Sequence, residues 1–248
     1  MSSRLRWAGL SAVIVSVFGL RASAALVRAT LDGMPYRATV RIHVESSEAS
    51  RTEYTYAGLF QWHGVASNPH ALQGTFSSFC IDIKDTISFG QTYTYDHRPL
   101  ETAPIANGAG SGINSDLAGG MGSDRAKLIT GLYEAKFPLV HSNATAAAFQ
   151  LVLWNIVYDQ DWTIDTGKFR IDIPSLSIPE SRTLANTWLD ELHNGLLTGT
   201  ASVAAMASDR YQDQLIPAPL PSAAWAGLGL MGAVGAWRIR RRMAREQD

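Results

Sequence analysis

Cys80 and Gln150 are the two residues whose side chains suit a reaction with each other. Cys80 is the only cysteine among 248 residues. It sits in Ser78-Phe79-Cys80-Ile81-Asp82-Ile83, a strand-like segment in which it alternates with Ser78 and Asp82. Gln150 lies inside Ala146-Ala-Ala-Phe-Gln150-Leu-Val-Leu-Trp154-Asn-Ile-Val-Tyr158, an apolar run with helical spacing. A glutamine there buries an amide, which costs free energy unless its polar atoms find partners. One reading is bland: Cys80 is a small core hydrophobe and Gln150 a core amide satisfied by backbone. The other is chemical. Attack of a thiolate on the carboxamide carbon would expel ammonia and leave a Cys–Gln thioester, following the general logic of an activated cysteine. An apolar pocket would then keep water from the bond until a nucleophile arrives.

Strands and helices must bring these two residues together. Tyr36, Ala38, Val40, Ile42 and Val44 alternate with Arg37, Thr39, Arg41 and His43, the pattern of a half-buried strand. Segments 54–62, 74–83 and 92–95 are rich in aromatics and Thr and are bounded by turn residues, so they read as further strands. Residues 107–122 are Gly/Ser-rich and read as a flexible loop. The period then changes. Ser123 is expected to cap a helix over 124–136 that Pro138 ends, with Leu128, Leu132 and Tyr133 on one face. A second helix is predicted over 144–158, apolar nearly all round and therefore central, with Gln150 and Trp154 sharing a face at i, i+4. Strand alternation returns over 168–173, and a third helix is expected over 181–194 with Gly195 as its stop. The fold class predicted is α+β: an antiparallel β-sandwich or barrel-like sheet with about three packed helices, flanked by an N-terminal signal helix and a C-terminal transmembrane helix.

Taken together and in this order, Phe79-Cys80-Ile81 and Phe149-Gln150-Leu-Val-Leu-Trp154 resemble the two signatures of bacterial surface thioester domains. These are an aromatic-Cys motif on an early strand and a hydrophobic-Gln motif with a tryptophan on a later helix. Gly131-Leu132-Tyr133 and Phe137-Pro138 fit the helix that precedes the glutamine. The match covers roughly residues 74–161, and Phe149 stands where threonine is common. The resemblance implies a Cys80–Gln150 crosslink in a pocket walled by Phe79, Phe149 and Trp154. It also implies a covalent bond to an amine or hydroxyl on a target surface, made once per molecule and without a cofactor or metal.

The two ends point to export. Arg4 and Arg6, the apolar stretch 8–20 and Ala22-Ser23-Ala24 have the form of a secretory signal peptide cut before Ala25. At the other end Pro217-Ala218-Pro219 leads into a small, apolar run over 222–237, followed by Arg238, Arg240, Arg241, Arg242 and Arg245. A helix over that run would be about 24 Å long, slightly short of a hydrocarbon core of about 30 Å. Arginine stems would snorkel across the shortfall, and their charge would hold this end in the cytoplasm. A proline motif, one membrane span and an arginine cluster together resemble the PEP-CTERM family of sorting tails, with Ala218 where the usual motif has glutamate. That resemblance implies processing by an exosortase as well as signal peptidase, passage through the inner membrane of a Gram-negative bacterium, and delivery to the cell surface or an extracellular, biofilm-type matrix.

The domain organisation expected is therefore a signal peptide over 1–24, an exported thioester-like domain over 25–215 and a sorting tail over 216–248. Within 25–215 there are 13 basic and 20 acidic residues, a net of −7. An acidic exported domain has no electrostatic reason to bind nucleic acid. Zinc-type Cys/His spacings, phosphate loops, Gly-x-Ser-x-Gly elbows and internal repeats are absent from the sequence. The six histidines (His43, His63, His70, His97, His141, His193) have no metal-ligand spacing. The expected function is covalent adhesion to an amine- or hydroxyl-bearing surface or polysaccharide. A non-covalent exopolysaccharide-matrix protein with an inert buried cysteine is the alternative.

Overall fold

A computed structural model describes residues 25–104, 112–172 and 177–218. The expected signal segment 1–24 and membrane segment 222–237 lie outside the described residues. The described part is mixed α+β, with seven antiparallel strands in one sheet and three longer helices.

Strand β1 (Leu26–Glu45) organises the sheet. Its alternation buries Ala38, Val40, Ile42 and Val44 and exposes Arg37, Thr39 and Arg41. Most of its length pairs with β2 (Ser50–Gly64), with register shifts around Gly33. Its first five residues also pair with β4 (Thr92–Pro99), and Ile42–Val44 pair with β5 (Phe169–Ile171). Strand β3 (Gly74–Cys80) lies between β2 and β7 (Gln214–Pro217), and β6 (Val203–Ala207) joins β7 to β4. The pairings β1–β2–β3–β7–β6–β4–β1 close on themselves, so these six strands form a ring and β5 extends it from β1. Closure leaves few unpaired edges.

Two strands escape sequence reading. The Val-Ala-Ala-Met-Ala of β6 lacks the β-branched and aromatic residues that mark strands, and β7 is only four residues long. Both exist because the closing sheet supplies partners: Ala204–Ala207 meet Pro99–Asp96 on one side, and Val203–Met206 meet Pro217–Gln214 on the other.

Of the three longer helices, the second packs on this sheet and the other two pack against that helix. Helix α1 (Gly122–Lys136) starts at Met121 with no side-chain cap, which corrects the expectation for Ser123. The Ser123 hydroxyl bonds the neighbouring Asp124 carboxylate instead. Part of the expected loop before it, Gly112–Leu117, is a 3-10 turn with Ile113, Asn114 and Leu117 buried. Helix α2 (Asn143–Tyr158) is buried from Ala146 to Tyr158, as an apolar helix must be. Ser142 and Thr145 cap each other's backbone N–H at its start, a capping box in which threonine replaces the usual acid. The helix lies against β1 and β2 and under α3 (Glu180–His193). Beyond α3, Gly195 takes a left-handed φ of 69°, as expected of a helix stop.

Candidate functional site

The topology brings Cys80 and Gln150 into direct contact. Strand β2 pairs with β3 only as far as Phe60 opposite Ser78. In an antiparallel ladder the next residue of β3 to face β2 is Cys80. The β2–β3 ladder ends before that position, although β2 continues along β1 with Gly58 opposite Arg37. The Gln150 amide fills that gap. The Cys80 N–H donates to Gln150 Oε1 at 3.0 Å, and Gln150 Nε2 donates to the Cys80 carbonyl at 2.7 Å. One side chain thus continues the ladder by one step. Both residues are sealed from solvent, at 1% and 0% exposure.

The thiol is free in this structure. Cys80 Sγ donates to the Asp82 carbonyl at 2.9 Å and accepts from the Asp82 N–H at 3.4 Å. These contacts turn the chain, so β3 stops at Cys80 and not at Ile83 as the sequence pattern predicts. Asp82 continues the turn by accepting the Lys84 N–H on Oδ1. Burial pushes the Cys80 thiol far above its ordinary range, with the nearby Asp82 charge as a lesser contributor. A neutral thiol is therefore the resting form.

Phe79, Phe149 and Trp154 are all buried around this pair. The Phe79 and Phe149 rings stack at 4.3 Å between centroids, and Tyr133 and Phe137 extend the cluster from the end of α1. Trp154 lies one helical turn beyond Gln150 and packs near Phe169 of β5. Its Nε1 is buried without a hydrogen-bond partner at ordinary distance.

A polar network beneath the pair was not legible in the sequence. Asp82 is 1% exposed; its carboxylate accepts from Asn114 Nδ2 at 2.8 Å, and burial raises its pKa to about 6. The Tyr158 hydroxyl donates to Asn114 Oδ1 at 2.8 Å and accepts the Ile83 N–H at 2.9 Å, with its own pKa raised well above the ordinary value by burial. Two residues before Cys80 in β3, Ser78 accepts from the Trp62 indole and donates to Gln214, both at 2.7 Å. Asp82 between Ile81 and Ile83 was the one visible signal of a buried acid. Asn114 had none, because it sits in a stretch that reads as loop.

The remaining residues singled out in the sequence fall elsewhere. Pro217 is the last residue of β7, and Ala218 donates its N–H to the Ser202 carbonyl. The sheet therefore runs into the proline motif, past the domain boundary drawn at 215. Pro219, Arg240, Arg241 and Arg242 lie outside the described residues, as do Ala22 and Ala24. Among the described residues no helix is long and apolar enough to cross a membrane, and no cluster of His, Cys, Asp or Glu is arranged to hold a metal. Asp159 and Asp161 close the end of α2: Asp159 takes the Phe169 N–H and Asp161 takes the Asn155 amide. No known protein family, curated protein or solved structure matches the chain.

Proposed function

We propose that this is an exported, surface-sorted protein whose domain joins Cys80 to Gln150 as an internal thioester and spends that bond once, on an amine or hydroxyl of a surface or matrix target. The observation that carries the reading is the docking of the Gln150 carboxamide on the backbone of the chain's only cysteine. The Cys80 N–H on Oε1 draws electron density from the acyl carbon and would stabilise an oxyanion there, as preorganised donors do in acyl transfer. The Cys80 carbonyl holds Nε2, the nitrogen that leaves as ammonia. Exclusion of water protects the product from hydrolysis. Atoms balance: thiol and carboxamide give thioester and ammonia, and an amine later gives an amide and returns the thiol.

The PEP-CTERM-like tail and the signal-like N-terminus supply the proposed route, through signal peptidase, the inner membrane and an exosortase, to a cell surface or polysaccharide matrix. The net charge of residues 25–215 gives no support to a nucleic-acid partner. Incubation with a fluorescent primary amine tests the reading. Wild-type protein is expected to take up one label per chain at Gln150, and Cys80→Ala none; equal labelling of the two would refute it.

A second reading is favoured by one observation. The Gln150 amide is already satisfied by backbone, and the thiol is already satisfied by Asp82. In that reading the pair is a structural device that ends a strand pairing, and the protein is a non-covalent component of an exopolysaccharide matrix.

A further inference from the structure

We propose that the outer face of β1 and β2 around Arg37 is a binding site for a carboxylate-bearing polysaccharide. This deepens the surface-target reading by naming the class of target, and it holds whether or not the thioester forms. Three aromatic side chains are strongly exposed among the described residues: Tyr54 at 68%, Phe89 at 46% and Tyr56 at 45%. Apolar residues scattered singly over a surface need no explanation, but these rings are gathered about one arginine. The Arg37 guanidinium lies 4.7 Å from the Tyr56 ring centroid and 5.8 Å from that of Phe89. Tyr54 stands two residues before Tyr56 on β2, so its ring leaves the same face of the strand. Gly58 is paired opposite Arg37 and has no side chain to fill the space, which lets the arginine stem lean toward Tyr56.

Among the described residues no carboxylate pairs with Arg37, whereas on the same two strands Arg41 meets Asp172 at 3.0 Å and Arg51 meets Glu53 at 3.2 Å. Residues 25–215 hold 20 acidic and 13 basic residues, so a cation left without an acid there is set to take one from outside. A guanidinium stacked on a ring keeps its edge free, and that edge offers two parallel N–H donors to a carboxylate. The rings supply the other half of the fit. A pyranose carries C–H bonds on its faces and polar groups round its rim, so its face can lie on an aromatic ring while its carboxylate reaches the arginine. Charge decides the class of ligand. A nucleic acid needs several cations along its phosphates, and an anionic lipid surface needs a basic cluster. One guanidinium on a domain of net −7 provides neither. A uronate chain carries its charge on the same ring that stacks.

The test uses the full chain carrying Cys80→Ala, so that covalent capture contributes nothing; methylamine-treated wild type replaces it should that variant not fold. The probes are polygalacturonate, alginate and methyl-esterified polygalacturonate, with binding read by calorimetry. Saturable binding to the acidic chains is expected, weakened by added salt. Arg37→Gln is expected to weaken it about tenfold to a hundredfold, the usual worth of a hydrogen bond to a charged group. Methyl esterification of polygalacturonate should remove a similar amount. Tyr54→Ala is expected to cost about threefold to tenfold with the unfolding temperature unchanged, because the ring is exposed. No binding to either acidic chain, or equal binding by Arg37→Gln, overturns the proposal. Tighter binding to single-stranded DNA does so as well. A dimer that Tyr54→Ala dissociates would also overturn it, making the patch an interface between copies of the chain. None of these outcomes bears on the thioester, which the wild-type mass decides separately.

Discussion

At Cys80 and Gln150 the structural and the chemical roles rest on the same two hydrogen bonds, and energetics separate them. The residues are 70 apart in sequence. A crosslink closing a loop of that size is worth about 4 kcal/mol by the chain-entropy model used for disulfides. Opening the thioester with methylamine is therefore expected to lower unfolding free energy by about 3–4 kcal/mol in urea titrations, and an inert pair would show no change. For an inert pair, Gln150→Ala is expected to cost about 3–5 kcal/mol, because it leaves the Cys80 N–H and carbonyl unpaired and opens a cavity; with a thioester it loses the crosslink's contribution as well. Asp82 makes a separate prediction. Its folded pKa of about 6 exceeds the ordinary value of 3.8. Below both values the carboxyl is protonated in folded and unfolded chains alike and imposes no cost. Between about pH 4 and pH 6 the unfolded state ionises first, so stability falls as pH rises, by about 3 kcal/mol over that window. The decline should be present in wild type and missing from Asp82→Asn when the two are compared by denaturant unfolding at each pH.

Helix α2 holds the acyl residue, so its start controls the site. Ser142→Ala removes one half of the capping box and is expected to cost about 1 kcal/mol. Gly58 controls the other wall. A Cβ there would lie 2.2 Å from the Tyr36 carbonyl, so Gly58→Ala should push β2 from β1 and destabilise the fold by a few kcal/mol in the same assay. What the sequence made legible follows from this division. The alternation of β1 and the apolar run of α2 are local patterns, and both elements lie where that periodicity places them. The contact of Cys80 with Gln150 was likewise approachable, since a lone cysteine and an amide in an apolar helix each need an explanation. Strands β6 and β7 carry no local signal, being made by their partners, and the 3-10 turn that delivers Asn114 to Asp82 looks like loop because its glycine and serine content does. The early stop of β3 at Cys80 came from hydrogen bonds to sulfur, which no alternation of residue types encodes.

Over the described residues, a closed ring of strands carries Cys80 at the end of one strand, and its last strand leads straight into the proline motif. Ile216 is fully buried in β7, opposite Ala204. A chain ended after Leu215 is therefore expected to lose about 2–4 kcal/mol relative to one ended after Ala218, by the usual cost of emptying a buried isoleucine site. The proposed route adds that removing 222–248 should release the protein from membranes while leaving amine labelling intact.

The most direct measurement is the intact mass of the protein, freshly purified without reductant. A mass short by one ammonia, restored to the full value in Cys80→Ala after allowing for the substitution and converted to a methylamine adduct in wild type, is the expected result. A full sequence mass with a titratable thiol at Cys80 would contradict the thioester and leave the Gln150 amide as a strand-ending device.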